Sequence, residues 1–314
     1  MANETQMNLV CGVTWGYDWN QIRVWAHSVH RAKIDARKIC FVRDTFPAVK
    51  QSLHELGIET VEWKVRQPHL HPITTRWEPV LDHLAANSYE WVICTDIKDC
   101  VYQVDPFPWL EAHFRDGGAP IVLATESILS ADPIWNQENY RPWMTDYLGA
   151  AAGPMADKEV VCGGTIAGRQ VFLQQMLTEM YDILASHPNP RLIDQCVLNH
   201  LAHTSWRDRV SIPRLSKAFV LSGNFCWASK MDLAPDWRRG LVYPRGSVEP
   251  FKLYHLYFPR HKREIQIRYW DKVWDGTCHR CGGSAWSPRR EIHGRRCLKC
   301  GDRYSYRGDS TYPQ

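Results

Sequence analysis

The sequence predicts a three-layer α/β/α fold around a mostly parallel sheet, followed by a small cysteine-rich module. Two observations carry this prediction. Along most of the 314 residues, short apolar runs that suit buried strands alternate with longer segments that suit helices, as in parallel sheets with crossover helices. Near the C-terminus, two Cys-x₂-Cys pairs stand fifteen residues apart. We therefore expect one large domain over 1–260 and a second module over 272–308.

The first half of the chain supplies four predicted strands with helices between them. Asp18 suits the N-cap of the first helix, and Gly57 suits the position just after the end of the second. Pro106 and Pro108 are expected to break regular structure after the fourth strand. In chain order, these elements are strand 8–13, a helix that starts near 18 and runs to 32, strand 38–42, helix 47–56, strand 58–65, helix 76–86 and strand 91–95.

The second half continues the alternation. An irregular stretch rich in Trp, Asn and Pro interrupts it over 127–155. Beyond that stretch, an apolar segment carries the paired glycines Gly163 and Gly164, which allow a close approach of another group or a bulge. The predicted elements are strand 120–125, strand 160–168, helix 171–185, a helix that opens at 194 and an apolar strand near 251–258.

Two carboxylates follow the fourth predicted strand directly. Asp96 and Asp99 come just after the apolar run 91–95. The C-terminal ends of parallel strands are where α/β folds bind their ligands, and paired carboxylates suit Mg²⁺ or Mn²⁺. On the two acids alone, a strand-end cap with a solvated loop acid is an equal alternative.

The wider string resembles the metal-binding segment of GT-A nucleotide-sugar glycosyltransferases. It reads Thr-Asp-Ile-Lys-Asp-Cys-Val-Tyr-Gln-Val-Asp-Pro-Phe over 95–107. Many members of that family carry a hydrophobic strand, Thr-Asp-x-x-Asp and then Gln-x-Asp-Pro-Phe. The resemblance implies a GT-A type fold over 1–260, a catalytic Mn²⁺ or Mg²⁺ ion and a nucleotide-sugar donor, with UDP-sugars favoured in the family.

The same resemblance implies donor-binding residues. Aromatic rings in the loop after the first strand stack on a nucleobase in such enzymes, and a basic residue often lies near the diphosphate. The paired glycines resemble a strand that passes beside the donor sugar, although Cys162 stands where Asn is commoner. The alternatives are loop packing for the two rings, a surface or helix-pairing role for the basic residue, and a tight turn without a ligand for the glycines. The predicted donor-binding residues are Thr14, Trp15, Tyr17, Arg76, Gly163 and Gly164.

Two further matches concern catalysis and the metal. Asp194 and Gln195 resemble an Asp-Gln pair at a helix start that faces the sugar and the acceptor, although the helix dipole alone also favours Asp there. His255 resembles the histidine that completes the metal site in retaining members, and His261 is the alternative. Taken alone, a histidine in an apolar strand is more often a core residue.

The C-terminal cysteines predict a structural zinc ribbon. Cys278, Cys281, Cys297 and Cys300 form a Cys-x₂-Cys, fifteen-residue, Cys-x₂-Cys pattern, and a glycine follows each pair. Four thiolates at this spacing match a closed Zn²⁺ site that stabilises a module without catalysing a reaction.

Charge is concentrated in the same region. Residues 259–314 hold 13 Lys and Arg against 6 Asp and Glu, a balance of +7, whereas 1–258 hold 25 against 28, a balance of −3. Arginines interleaved with aromatic residues suit contact with nucleic acid. Docking of another protein, or stability alone, are the alternatives for this module.

These observations lead to one expected function with named alternatives. No apolar stretch reaches the ~20 residues of a membrane helix, and scattered cysteines suit a reducing compartment, so we expect a soluble, cytoplasmic protein without a membrane partner. The acceptor is expected to be a hydroxyl, and a hydroxylated base in DNA, which some viral glycosyltransferases modify, fits the basic module. A glycan or protein acceptor, and a non-catalytic nucleic-acid-binding protein on a GT-A scaffold, stay open.

Overall fold

A computed structural model describes nine segments of the chain. They are 7–129, 157–187, 194–213, 219–222, 233–236, 241–244, 247–255, 294–296 and 303–305, with 147, 149 and 155 as single residues. The strands are β1 Leu9–Trp15, β2 Arg37–Arg43, β3 Glu59–Glu62, β4 Trp91–Thr95, β5 Cys100–Tyr102, β6 Ile121–Leu129, β7 Glu159–Arg169, β8 Val210–Ser211, β9 Val220–Ser222, β10 Leu233–Asp236, β11 Leu241–Pro244, β12 Leu253–His255, β13 Gly294–Arg296 and β14 Arg303–Ser305. The helices are α1 Trp19–Arg31, α2 Pro47–Glu55, α3 Pro72–Thr75, α4 Trp77–Ala86, α5 Phe107–Arg115, α6 Gln170–Ser186 and α7 Asp194–His203, and a 3₁₀ turn covers Arg207–Arg209.

The central sheet has seven strands and is mostly parallel, as predicted. Its order is β3-β2-β1-β4-β7-β6-β8. The pairs from β3 to β4, and the pair of β6 with β8, are parallel, whereas β7 runs antiparallel to β4 and to β6. The antiparallel strand β7 therefore lies beside β4, whose C-terminal end leads to Asp96 and Asp99.

Two apolar layers cover the faces of this sheet. Leu9 and Cys11 of β1 belong to the cluster that packs against α4, α6 and α7. Val10, between them, belongs to the cluster on the other face, with residues of α1, α2 and α5. The alternation follows from the period of two along a strand. Both faces are covered by helices, which is the three-layer arrangement that the sequence predicts.

Local signals place several boundaries correctly. Asp18 caps α1 in a capping box with Gln21, and Gly57 follows α2 with a φ of +71°. The expectation that Pro106 and Pro108 break regular structure is wrong, because α5 begins at Phe107 with Pro108 in its first turn. Proline is tolerated there because the first amides of a helix have no partner within the helix.

A second, three-stranded sheet brings the segment 100–102 together with the segments 220–222 and 253–255. β12 pairs antiparallel with β5 and parallel with β9. In this register His255 lies opposite Cys100, the residue that follows Asp99. Two residues 155 positions apart in the sequence are therefore neighbours across one strand pair. Within the described segments, no helix is both long enough and apolar enough to cross a membrane.

Gln103 holds this second sheet in place. Its buried side chain donates to the carbonyl of Phe251 at 2.9 Å and accepts from the amide of Val242 at 2.6 Å. Its own amide donates to the carbonyl of Lys252 at 2.8 Å. One side-chain amide thus pairs with a buried backbone N–H and a buried backbone C=O.

We predict that Gln103→Leu lowers the free energy of unfolding by about 3 kcal/mol. The apolar side chain leaves a buried N–H and a buried C=O unpaired, and each costs about 1–3 kcal/mol. Urea unfolding measures the change. Gln51→Leu is the control, because Gln51 is exposed on α2 and bonds only to Glu55 four residues away. Equal stability of the two variants would contradict the role of Gln103.

Candidate metal and donor site

Asp96, Asp99 and His255 meet at the C-terminal end of β4. The carboxylate of Asp96 and that of Asp99 each lie 3.5 Å from Nε2 of His255. The ligand atoms of all three residues lie within 4.8 Å of one another. His255 is almost completely buried, with 1% of its surface exposed, whereas the two acids are partly exposed.

Three separate segments bring these side chains together. Asp96 follows the last residue of β4, and its amide donates to the carbonyl of Gly164 on β7 at 2.8 Å. Asp99 directly precedes β5, and His255 ends β12, the strand that pairs with β5. The central sheet therefore fixes the first acid, and the three-stranded sheet fixes the second acid and the histidine.

Neighbouring charges set the protonation of this cluster. Burial opposes ionisation of Asp96, but Arg76 and His255 outweigh it and hold the pKa of Asp96 well below its usual range. Burial favours neutral His255, but the carboxylates of Asp99 and Asp96 outweigh it and raise the pKa of His255 well above its usual value. Without a cation, the imidazole itself is thus the positive charge that the acids attract.

The donor set fits a hard divalent ion. Nε2 of His255 is buried without a hydrogen-bond partner among the described residues, although it faces two carboxylates. An ion with bonds of about 2.1 Å spaces its ligands by about 3–4 Å, close to the separations found here. Two carboxylates with one imidazole suit Mn²⁺ or Mg²⁺, and the ion would replace the proton of the imidazole.

Arg76 links this cluster to Asp194. Its guanidinium donates to Asp96, to Asp194 Oδ2 at 2.6 Å and to the carbonyl of Gly163 at 3.2 Å. Trp77 also donates its indole N–H to the same oxygen of Asp194 at 2.8 Å. Asp194 opens α7 and is buried, so these bonds hold its charge in place. The predicted donor-binding arginine and the predicted catalytic acid therefore lie in contact.

The paired glycines lie against both halves of this network. A Cβ on Gly164 would come within 2.1 Å of His255 Cε1 and 2.6 Å of Asp96 Oδ2. A Cβ on Gly163 would lie 3.4 Å from Gln195 and 3.6 Å from Asp194, at ordinary contact distance. Gly164 is therefore required by the acid–histidine cluster, whereas Gly163 has room for a methyl group.

An open cleft borders the cluster. It has a volume of about 270 Å³, just below the usual range of small-molecule sites, and it is open to solvent on one side. Its lining residues include Trp15, Tyr17, Trp63, Arg76, Lys98 and both acids. The ring of Trp15 lies 3.8 Å from the Arg43 guanidinium, and its N–H donates to Asp44 at 3.0 Å, so the ring is held from one side.

Not all predicted residues point into this cleft. Trp15, Tyr17 and Arg76 line it, whereas the side chain of Thr14 is completely buried and does not line it. The amide of Gln195 donates to the carbonyl of Val161 on β7 at 3.0 Å. Thr14 lies on the opposite face of β1 from Val13 and Trp15, as strand alternation requires.

Three residues of the site were not among the predicted site residues, although the sequence analysis noted that Cys162 stands where Asn is commoner. Trp63 and Lys98 line the cleft, and Cys162 lies 3.1 Å from Nδ1 of His255. Burial raises the pKa of the Cys162 thiol to about 12, so it is protonated at neutral pH. Lys98 stands between the two acids in the sequence, and this position indicated that its side chain could line the cleft. No such indication existed for Cys162, because its partner is 93 residues away.

Some predictions lie outside the described residues. These are the zinc ligands Cys278, Cys281, Cys297 and Cys300, the alternative ligand His261, and nearly all of the stretch 127–155. In the same region, β13 and β14 pair antiparallel, with Arg296 opposite Arg303. In the sequence, Cys297 and Cys300 lie between the residues of these two strands.

Comparison with solved structures identifies the fold. A complex of the galactosyltransferase LgtC with donor and acceptor sugar analogs aligns over 84% of this chain and 96% of its own, with 13% identity and a TM-score of 0.54. An active-site mutant of LgtC aligns over 85% of this chain and all of its own, with 13% identity and a TM-score of 0.54. No family model and no curated protein matches the sequence. The fold is thus that of GT-A glycosyltransferases.

We predict that Gly164→Ala weakens Mn²⁺ binding by at least about tenfold. The added methyl group would displace His255 or Asp96, and a displaced ligand is a lost bond to the ion. Isothermal titration with MnCl₂ measures the affinity. The control is Gly163→Ala, because its methyl group meets no atom closer than 3.4 Å. Unchanged affinity in Gly164→Ala would show that the cluster does not bind the ion.

Proposed function

We propose that this chain is a divalent-metal-dependent glycosyltransferase that takes a sugar from a nucleoside-diphosphate sugar, with UDP-sugars as the expected donors. The observation that carries the proposal is the meeting of Asp96, Asp99 and His255 beside an open cleft, in a fold shared with LgtC. Two carboxylates and an imidazole suit Mn²⁺ or Mg²⁺, and such ions bind diphosphate oxygens.

The cleft supports a nucleotide as the occupant. Trp15 and Tyr17 line it near the acid pair, and aromatic rings stack on nucleobases. The cations Lys98 and Arg76 also line it, close to where a metal-bound diphosphate would lie. The expected arrangement places the base towards Trp15 and the diphosphate towards Asp96 and Asp99.

The chemistry of sugar transfer explains this arrangement. Breaking the sugar–diphosphate bond adds negative charge to the departing nucleotide, and a bound divalent ion would stabilise that charge. Asp96, Asp99 and His255 would hold the ion, and Arg76 would keep Asp96 ionised. Asp194 and Gln195 would orient the sugar and the acceptor hydroxyl on the other side of Gly163. Positioning of this kind supplies much of the rate in group transfer.

The C-terminal module would contribute to the choice of acceptor. We place the catalytic domain over 1–260 and a zinc ribbon over 272–308, with Zn²⁺ held by Cys278, Cys281, Cys297 and Cys300. Support comes from their spacing and from the pairing of β13 with β14 on either side of the second cysteine pair. The balance of +7 over 259–314 favours an anionic acceptor such as DNA with hydroxylated bases.

We predict Mn²⁺-dependent release of UDP from at least one UDP-sugar, and its loss by at least about 100-fold in Asp99→Asn. The neutral amide keeps the shape of the side chain and removes the charge that the ion needs. A coupled assay for UDP over a panel of UDP-sugars measures release. Asp208→Asn is the control, because that carboxylate is 88% exposed and lies in the 3₁₀ turn.

The outcomes separate the classes of function. Full activity in Asp99→Asn would show that Asp99 is not a ligand of a catalytic metal ion. No release from any nucleotide sugar, with or without acceptor, would favour a binding protein on this scaffold.

We also predict that hydroxymethylated DNA stimulates this release, and that replacing Arg289, Arg290, Arg295 and Arg296 by Ala abolishes the stimulation. Donor hydrolysis without DNA should persist in this variant, because these residues lie outside the catalytic domain. DNA binding should weaken with rising salt, since phosphate contacts release counterions. Unchanged DNA affinity in the variant would exclude the ribbon from acceptor binding, and release that ignores DNA would point to a glycan or protein acceptor.

A further inference from the structure

We infer that Cys162 is the outer-sphere positioning residue of the metal site, which holds the imidazole of His255 so that Nε2 faces the ion. This inference rests on the proposed function, because it assigns a role relative to the bound metal. Metal-ligating histidines nearly always use their second ring nitrogen to bond a neighbouring group, which fixes the ring and its tautomer. A carboxylate or a backbone carbonyl is the usual partner, whereas here the partner is a thiol.

The geometry of the ring supports this role. Sγ of Cys162 lies 3.1 Å from Nδ1 of His255, while the two carboxylates lie 3.5 Å from Nε2. The thiol and the acids therefore contact opposite nitrogens of one ring. Because the sulfur lies on the far side of the imidazole, it is excluded from the ion that Nε2 would bind.

Strand β7 contacts the ring at two points. Cys162 and Gly164 lie at a register shift of β7, where its pairing with β6 passes from Ile166 to Cys162. Cys162 contacts Nδ1, and the missing side chain of Gly164 leaves space for Cε1, which lies between the two nitrogens. The edge of the imidazole thus runs along β7, and Cys162 gives it a polar contact.

The thiol is suited to both states of the site. It is a weak donor and a weak acceptor, so it can bond to Nδ1 whether or not that nitrogen carries the proton. When Nε2 binds an ion, Nδ1 must carry the proton and donate to sulfur. Cys162 is 2% exposed, so water cannot replace this contact.

The test compares Mn²⁺ affinity in Cys162→Ala, Cys162→Ser and Cys40→Ala by isothermal titration, well below the melting temperature of each variant. We expect Cys162→Ala to bind Mn²⁺ about 10–100-fold more weakly, as for other outer-sphere partners of metal ligands. Cys162→Ser should recover part of the loss, since a hydroxyl also bonds to Nδ1. Cys40→Ala should bind as the unsubstituted chain does, because Cys40 is a completely buried thiol on β2.

Three results would overturn the inference. Wild-type affinity in Cys162→Ala would show that the thiol does not position His255, while the proposed function would stand. A sulfur-to-cobalt charge-transfer band in the Co²⁺-loaded protein, lost in Cys162→Ala, would make the thiol a ligand instead. Absence of any divalent-ion binding by the unsubstituted protein would remove the proposed metal dependence and this inference together. If Cys162→Ala does not fold, Cys162→Val decides, because its side chain is of similar size and cannot bond to Nδ1; wild-type affinity in that variant would count against the role.

Discussion

The almost completely buried imidazole of His255, which faces two carboxylates at 3.5 Å, links the end of the central sheet to the three-stranded sheet. Asp96 belongs to the end of the central sheet, whereas Asp99 and His255 belong to the three-stranded sheet. The carboxylates of Asp96 and Asp99, whose ligand atoms lie within 4.8 Å of each other, repel unless a cation compensates them. A proton on the histidine, or a metal ion, compensates both acids.

Arg76 extends this charge compensation from the acid–histidine cluster into the core. It pairs with Asp96 on one side and with the buried Asp194 on the other. Removal of one member of a buried pair leaves a charge without a partner, which is strongly destabilising. Three segments that are far apart in the sequence, the turn before α4, the end of β4 and the start of α7, are thereby held in one arrangement.

Most features that the sequence predicts depend on residues close together in the chain, whereas the contacts that it does not predict join residues far apart in the chain. The strand–helix alternation, the cap at Asp18 and the turn at Gly57 depend on neighbouring residues, and the structure agrees with them. The motif around Asp96 and Asp99 led to His255, and the structure brings the three together, while their role as ligands stays a prediction. The contact of Cys162 with His255 and the bonds of Gln103 depend on pairings across 93 to 148 residues, which no local pattern encodes. The helix after Pro106 was missed because proline favours a first helical turn as well as a break.

The register that places His255 opposite Cys100 has a consequence for how the chain matures. Asp99 leaves the ribosome 156 residues before His255, which corresponds to about 10–30 s of synthesis. During that interval the nascent chain carries the acid pair without its histidine, and the edge of β5 lacks β12. Closing such a long loop is slow because its entropy must be lost before the contacts form. The acid–histidine cluster is thus complete only after translation has passed β12.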